Sequence, residues 1–217
     1  AIWNTSLSSG DIAEHSGYGI DRSIYGNNAT LMFNTSVNFT SFKFGEAMQF
    51  NGLSSYVNLS DVNMFDFGTG DFTAEAWVKS STSSTGAAMT VLAKDTNSVA
   101  NNGLFIYQSG SKYVYSNGVT GINVGDLTTE WTHLAAIRRG TTVTTYQNGN
   151  LFATGTDSRT LNNALSFMIG RANDINNFNG TIDEVALWNT SLTADKISEH
   201  AGAKIIDSSL YLNNGTR

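Results

Sequence analysis

In the stretch Phe72-Thr-Ala-Glu-Ala-Trp-Val78, every second residue from Phe72 to Val78 is apolar, and Thr73 and Glu75 fall between them. Side chains alternate between the two faces of a β-strand, so this stretch predicts a strand with one face in a core. About eleven short segments of this kind occur along the chain, separated by turn residues roughly every 8–12 positions. Gln147-Asn-Gly-Asn150 is the strongest hairpin signal, and Asn51-Gly52 predicts a second hairpin-type turn. This spacing is typical of an antiparallel β-sandwich or jelly roll.

The composition restricts the classes of partner. The 217 residues carry a net charge of −6, only 14% of them are charged, and Arg138-Arg139 is the one pair of adjacent basic residues. Nucleic acid is therefore not an expected partner, because it needs a basic surface. Membrane insertion is not expected either, because no apolar run approaches the roughly 18 residues of a spanning helix. The absence of Cys excludes disulfides and thiol chemistry.

Two segments near the ends of the chain repeat each other. Residues 2–17 read IWNTSLSSGDIAEHSG and residues 187–202 read LWNTSLTADKISEHAG, with nine of the sixteen positions identical at an offset of 185. A second echo pairs residues 21–30 with residues 207–216. The repetition indicates a parent protein that carries copies of this unit in tandem.

The echoes divide the chain into four parts. A short helix is predicted near each end, within residues 5–17 and again before Gly202, where Thr193 is the expected N-cap. The four parts are the tail of a preceding copy (1–17), the domain itself (18–188), a short helix and connector (189–206), and the opening segment of the next copy (207–217).

Four segments resemble, in order and spacing, the laminin-G-like jelly-roll domains of the concanavalin A-like lectin/glucanase superfamily. The first is similar to the family's D-x-S-x-x-x-N-N-G-T-L pattern, and the last resembles its closing G-x-I-D-E-V segment. The resemblance implies an all-β fold in which two antiparallel sheets pack as a concanavalin-like jelly roll. The segments are Asp21 to Leu31, Phe44 to Gly52 with Tyr56-Val57, Phe72 to Val78, and Gly180 to Leu192.

The resemblance also implies a structural Ca²⁺ site, because members of this superfamily often bind the ion between the start of the domain, a glycine turn and the closing strand. The matching residues are Asp21, Asn28, Asn51, Gly52 and Asp183. Calcium takes six to eight oxygens from carboxylates, amides and backbone carbonyls. A carboxylate at Asp183, in an otherwise apolar strand, costs free energy unless it is paired or metal-bound. The alternative is that Asp21 and Asp183 cap turns or accept backbone hydrogen bonds.

Four aromatic residues are candidates for a platform on which a sugar ring could stack: Trp77, Tyr107, Tyr113 and Tyr115. The asparagine-rich loops 97–103 and 173–179 could supply amide contacts to the same ligand. The alternative is that these aromatic side chains belong to the core or form cross-strand pairs.

Catalysis is not expected. The superfamily's glucanases use two carboxylates in an E-x-D-x-x-E strand, and Thr181 stands where the first Glu would be. Asp183 and Glu184 are adjacent, so on a regular strand they point to opposite faces and do not form such a pair.

Eight N-x-S/T sequons make N-glycosylation a further prediction for an exported protein. They begin at Asn4, Asn28, Asn34, Asn38, Asn58, Asn179, Asn189 and Asn214.

Two functions fit these observations. The first is a non-catalytic, extracellular structural or adhesive module from a tandem-repeat surface protein, whose neighbouring copies pair through strands into a filament. The alternative is a carbohydrate-binding module of a larger secreted enzyme or adhesin, with glycans or cell-surface polymers as its partners.

Overall fold

The computed structural model describes residues 18–19, 29–32, 39–42, 45–59, 65–94, 103–172 and 176–202. Within these residues the chain forms fifteen strands and one short helix, which confirms the predicted all-β class. The strands belong to two antiparallel sheets, as expected for a β-sandwich jelly roll.

The larger sheet has eight strands. Their bounds are Tyr18–Gly19 (β1), Ala29–Met32 (β2), Tyr56–Asn58 (β5), Thr85–Ala93 (β7), Phe105–Gly110 (β8), Lys112–Ser116 (β9), Gly121–Asp126 (β10) and Met168–Ile169 (β14). The spatial order in this eight-stranded sheet is β1-β2-β5-β14-β7-β8-β9-β10.

The other sheet has seven strands. Their bounds are Phe39–Phe42 (β3), Gly45–Asn51 (β4), Phe72–Ser80 (β6), Thr132–Arg139 (β11), Thr142–Gln147 (β12), Asn150–Thr156 (β13) and Asn179–Trp188 (β15). The order in this seven-stranded sheet is β13-β12-β11-β6-β15-β4-β3.

The main core lies between the two sheets. Strand β6 shows the predicted alternation, because the apolar residues from Phe72 to Val78 belong to this core. The residues between them, Thr73, Glu75 and Trp77, therefore point to the outer face of the seven-stranded sheet. β6 is hydrogen-bonded to β11 on one side and to β15 on the other, which makes it a central strand.

The two Asn-Gly turns have different roles. Asn148 and Gly149 have φ angles of 50° and 78° and join the paired strands β12 and β13, which confirms this hairpin. The prediction of a hairpin at Asn51-Gly52 is wrong. That turn carries the chain from β4 in the seven-stranded sheet to β5 in the eight-stranded sheet. A dipeptide with positive φ serves a crossing between sheets as well as a hairpin.

The helix α1, Ala194–Ala201, follows β15 and confirms the second of the two predicted helices. The Thr193 side chain accepts a hydrogen bond from the backbone N–H of Lys196, and Gly202 ends the helix. Ile197 is fully buried and packs with Ala135 and Ile137 on the outer face of the seven-stranded sheet. The helix predicted within residues 5–17 lies outside the described residues. Of the residues described, no helix has the length and apolarity needed to cross a bilayer.

One buried charged group closes an end of the sandwich. Arg138 is 1% exposed and donates hydrogen bonds to the backbone carbonyls of Gly68, Gly70 and Arg159. Its Nη1 lies 3.6 Å from the buried carboxylate of Asp157. The ion pair neutralises both groups, and the carbonyl contacts tie strand β11 to the loops that precede β6 and follow β13.

Candidate functional site

Of the four predicted stacking residues, Tyr107 lies on a face of the sandwich that the other three do not share. Tyr113 and Tyr115 are fully buried in the main core, and burial raises the pKa of both phenols well above the ordinary value. Trp77 lies on the outer face of the seven-stranded sheet, where its ring centroid is 5.4 Å from that of His133. The core alternative therefore holds for Tyr113 and Tyr115, and the predicted four-residue platform does not form.

Tyr107 lies on the outer face of the eight-stranded sheet and is partly exposed. Its ring stacks on Phe105 with 4.3 Å between centroids and 16° between planes. Phe105 packs with Ala93 and Ala172 in a small cluster separate from the main core. Burial raises the pKa of the Tyr107 phenol, so the hydroxyl remains protonated and able to donate at neutral pH.

A second aromatic ring lies on the same face. Val57 belongs to the main core, so the alternation of β5 directs the neighbouring Tyr56 outward. The guanidinium carbon of Arg171 lies 4.5 Å from the centroid of the Tyr56 ring, a cation–π arrangement. Strands β14 and β7 separate β5 from β8, so Tyr56 and Tyr107 stand three strand spacings, or roughly 14 Å, apart.

Polar atoms without a protein partner lie between these two rings. Thr90 is the register partner of Tyr107 and is fully buried, and its Oγ1 has no hydrogen-bond partner. The carbonyl of Asn176 accepts a 2.8 Å hydrogen bond from the Thr90 N–H, while the Asn176 Nδ2 is unpartnered. The Oδ1 of Asn177 is unpartnered as well. Buried polar groups in folded proteins are normally hydrogen-bonded, so these atoms call for buried water.

A glycine positions the loop that carries Arg171. Gly170 has a φ of 80°, its N–H donates to the carbonyl of Val91 at 2.9 Å, and its carbonyl accepts from the N–H of Phe178 at 2.8 Å. A Cβ at this position would lie 2.3 Å from two ring carbons of Phe50. The glycine therefore lets the chain turn over the core and bring Arg171 to the outer face.

We call the surface formed by Tyr56, Tyr107, Arg171 and Asn176 the aromatic face, and the buried Thr90 lies beneath it. Of these residues, the sequence singles out only Tyr107, together with the loop 173–179 that contains Asn176. The alternation of Tyr56 with Val57 is a signal that could have placed Tyr56 on this face. The loop 97–103 lies outside the described residues, except for Gly103.

The predicted calcium ligands are described only in part, because Asp21 and Asn28 lie outside the described residues. The Oδ1 of Asn51 accepts hydrogen bonds from the backbone N–H groups of residues 53, 54 and 55, at 2.9, 2.9 and 3.2 Å. Gly52 has a φ of 72° and donates its N–H to the carbonyl of Phe178. Both residues of this turn therefore have structural roles of their own.

The register also separates the turn from Asp183. Asn51 pairs with Asn179, four residues before Asp183 on β15, so Asn51 and Asp183 lie roughly 13 Å apart at about 3.3 Å per residue. Calcium ligands lie about 2.3–2.6 Å from the ion, so one ion does not take ligands from both residues. This corrects the predicted ligand set, in which the two residues belong to one site.

Asp183 itself has an unsatisfied carboxylate oxygen. Its Oδ1 accepts a 2.8 Å hydrogen bond from the N–H of Glu184, while its buried Oδ2 has no partner. Burial raises the pKa of Asp183 to about 7. A cation beside Oδ2 would fit this chemistry. No cluster of three or more His, Cys, Asp or Glu side chains that could hold a metal occurs among the residues described.

The outer face of the seven-stranded sheet carries a polar cluster of its own. The buried Glu75 carboxylate meets the Nδ1 of His200 at 2.7 Å and the Nε2 of His133 at 3.5 Å. Burial alone would raise the pKa of Glu75, but the hydrogen bonds with the two histidines hold it below its ordinary value. The hydrogen bond to Glu75 raises the pKa of His200, whose ring stacks on Trp188.

Three of the eight predicted sequons lie within the described residues. Asn179 and Asn189 are exposed, and Asn58 is half-buried. The other five lie outside the described residues: Asn4, Asn28, Asn34, Asn38 and Asn214.

The two antiparallel sheets define the class of protein, a β-sandwich jelly-roll domain. The chain belongs to the Concanavalin A-like lectin/glucanases superfamily, since the profile of a laminin G family in this superfamily matches residues 50–198. A comparison with curated protein sequences gives no significant match.

Several solved structures share the fold. The binding domain of Paraclostridial Mosquitocidal Protein 1 has a TM-score of 0.69 and 13% identity, over 86% of this chain and 50% of that one. Domain 4 of AbnA, an extracellular arabinanase from Geobacillus stearothermophilus, was solved with arabinotriose. It has a TM-score of 0.64 and 20% identity, over 80% of this chain and 87% of that one. The binding domain of Botulinum Neurotoxin DC in complex with SialylT has a TM-score of 0.66 and 15% identity, over 85% of this chain and 48% of that one. The chain thus spans about half the length of the toxin binding domains it matches.

Proposed function

We propose that this domain is a non-catalytic carbohydrate-binding module and that its ligand lies on the aromatic face. The observation that carries the proposal is the pair of partly exposed tyrosine rings, Tyr56 and Tyr107, on the outer face of one sheet, with the Arg171 guanidinium over the first ring. Ligand sites commonly combine apolar or aromatic surface with a few polar groups that fix the orientation of the ligand.

The chemistry of this face suits a sugar. The C–H face of a pyranose or furanose ring packs on an aromatic ring, and its hydroxyls donate and accept hydrogen bonds at the edge. Tyr107 offers the ring, and its protonated hydroxyl is a donor on the same surface. Arg171 adds a planar cation that can bind a carboxylate or two hydroxyls of an acidic or neutral sugar. The separation of Tyr56 from Tyr107 favours an oligosaccharide over a single ring.

The structural neighbours support this class of function. One is an arabinanase domain in complex with arabinotriose, and another is a toxin binding domain in complex with SialylT. Their low identity transfers no individual contact residue to this chain. They favour the binding alternative over a purely structural module.

Replacing Tyr107 by alanine is expected to weaken glycan binding by about tenfold or more, because it removes the stacking ring and the packing of Phe105 beneath it. The ligand would first be found on a glycan array that includes arabino-oligosaccharides and sialylated glycans. Titration calorimetry with the best ligand would then compare the wild-type chain with the Tyr107→Ala variant.

Tyr146→Ala is the matched control, because Tyr146 is another half-buried tyrosine that packs against the outer face of the opposite sheet. It should keep wild-type affinity. Equal losses in both variants, or full affinity in Tyr107→Ala, would contradict the assignment of the aromatic face.

We also propose an extracellular setting, as part of a tandem-repeat surface protein or a larger secreted enzyme. The internal echo, the low fraction of charged residues and the extracellular arabinanase among the structural neighbours support this setting. The adhesive role is the second candidate function, and it rests on the echo. A non-catalytic role is supported by Thr181, which stands at the position of the first glucanase carboxylate.

Calcium binding at Asp183 remains a proposal, with Asp21 or Asn28 as the other side-chain ligands. If it holds, chelation with EDTA should lower the melting temperature of the wild-type chain by about 2–4 °C for each kcal/mol of lost binding free energy. The Asp183→Asn variant should show no such shift. Scanning calorimetry with and without chelator measures both, and an identical melting temperature for the wild-type chain under the two conditions would refute calcium binding.

A further inference from the structure

The closing segment of the domain, residues 187–202, covers the outer face of the seven-stranded sheet. Leu192 and Ile197 pack on the apolar pair Ala135 and Ile137, and Ile197 is fully buried by this contact. The cover is therefore part of the fold of the domain, and it excludes water from an apolar patch that a sheet alone would expose.

Polar contacts fix the register of this segment. His200 binds Glu75 at 2.7 Å and stacks on Trp188. The Ser191 hydroxyl donates to Asp71 at 3.0 Å. The backbone N–H of Leu192 donates to the Thr73 hydroxyl at 2.9 Å. The segment is thus recognised by a defined set of side chains and is not held by apolar contact alone.

Residues 2–17 repeat the side chains that make these contacts. Trp188, Ser191, Leu192, Ile197 and His200 correspond to Trp3, Ser6, Leu7, Ile12 and His15, and all five pairs are identical. The helix-ending Gly202 corresponds to Gly17, which is also identical. A Cβ at Gly202 would lie 2.7 Å from the carbonyl of Ser198, so glycine is required there.

Seven positions differ between the two segments; five of them face solvent, and the other two, Leu187 and Ala201, are half-buried. Residues 193–196 and Ser198 are exposed, and each has a different amino acid in the echo. Asn189 and Glu199 are also exposed, but the echo has the same amino acids at these positions, so not every exposed position has changed. Residues 2–17 have therefore kept the docking surface of the closing segment while its solvent side has changed.

We propose that residues 2–17 are a second closing segment, which docks on the outer face of the seven-stranded sheet in another copy of this domain. Ile12 takes the place of Ile197 over Ala135, and His15 takes the place of His200 beside Glu75. Because the face of each described chain already holds its own closing segment, we place residues 2–17 on a preceding copy in the tandem parent, whose closing segment they would be. The inference is independent of glycan binding, since it concerns the opposite sheet.

Disulfide trapping tests this contact, because the chain has no cysteine of its own. One chain carries Ile12→Cys, a second carries Ala135→Cys together with Ile197→Asp, which releases its own closing segment, and the two are mixed in a glutathione buffer. Ala13→Cys replaces Ile12→Cys in the control, because Ala13 corresponds to the exposed Ser198. The mixed disulfide, followed by mass spectrometry, should form about tenfold or more faster with Ile12→Cys than with the control. Equal rates would overturn the proposal.

A second measurement uses synthetic peptides on the full chain with Ile197→Asp, a change that releases the closing segment of the chain from its face. A labelled peptide of residues 1–20 should bind this variant with a Kd within about tenfold of that of a peptide of residues 186–203. Ile12→Asp in the first peptide should weaken its binding by about tenfold or more. Binding of the 186–203 peptide without binding of the 1–20 peptide would also overturn the proposal.

Discussion

Replacing Arg138 by methionine is expected to lower the free energy of unfolding by about 3–5 kcal/mol, the range observed when one partner of a buried ion pair is removed. Arg138 is 1% exposed, and Asp157 beside it is equally buried. Methionine fills much of the volume but leaves the carboxylate without its counter-ion. It also removes the guanidinium donor from the carbonyl of Gly70 and one of the two donors from that of Gly68, which still accepts from the Leu161 N–H.

Urea denaturation followed by tryptophan fluorescence measures this loss. The double variant Arg138→Met with Asp157→Asn should recover part of the stability, because the uncompensated charge is gone. The matched control is Arg139→Met, since Arg139 is exposed and donates a hydrogen bond to the Ser191 hydroxyl at 3.1 Å. We expect that control to change the free energy of unfolding by less than about 1 kcal/mol. A loss of the same size at both arginines would show that burial of the pair is not the cause.

The Gly170→Ala variant should lose about 2–5 kcal/mol of stability, for two separate physical reasons. The φ of 80° at this residue is in the left-handed region, which costs an L-residue roughly 1–2 kcal/mol. In addition, the new Cβ would lie 2.3 Å from the buried ring of Phe50, and overpacking of a core costs about 1–3 kcal/mol. The variant should also weaken glycan binding, because Gly170 leads directly into Arg171.

Gly140→Ala separates the two reasons. Gly140 has a φ of 58°, but a Cβ there would have no heavy atom within 4 Å. It should therefore lose only the backbone term of about 1–2 kcal/mol. Adding Phe50→Leu to Gly170→Ala should recover part of the packing term. Thermal unfolding of the wild-type chain and the three variants checks this, and equal losses for Gly140→Ala and Gly170→Ala would argue against a clash with Phe50.

Alternation and turn residues were sufficient to predict the sandwich. β6 alternates as a core strand should, Asn148-Gly149 forms the predicted hairpin, and Thr193 with Gly202 bounds the predicted helix. Each of these signals is local, so a reading of short windows captures it. The assignment of strands to sheets is not local. The Asn51-Gly52 turn shows this, because the same dipeptide can close a hairpin or connect two sheets.

The predicted platform failed for a register reason. Residues 107, 113 and 115 are all odd, which would place them on one face of a single strand. The turn after Gly110 instead starts a new strand in which Val114 is the partner of Tyr107. Directly opposed residues of an antiparallel pair share a face, so Tyr113 and Tyr115 point the other way. Only the register of the hairpin decides this, and the sequence does not specify it.

The position of Thr90 could not be predicted from the sequence for a similar reason. The bulge at Val91 shifts the alternation of β7, so a reading by odd and even positions fails beyond it. The unpartnered atoms of Thr90 and Asn176 come together only because a loop from a distant part of the chain returns to β7. Long-range contacts of this kind are visible in coordinates and not in a single sequence.

The aromatic face and the surface beneath the closing helix belong to different sheets, and so they point away from each other. An array joined through the helix side would display every aromatic face, the proposed glycan site, outward. Weak affinity at each surface would then sum to avidity on a polymer or a densely glycosylated cell, with the gain set by the spacing between domains. Because the two faces lie on opposite sheets, a substitution that alters the proposed contact between copies would leave the aromatic face unchanged.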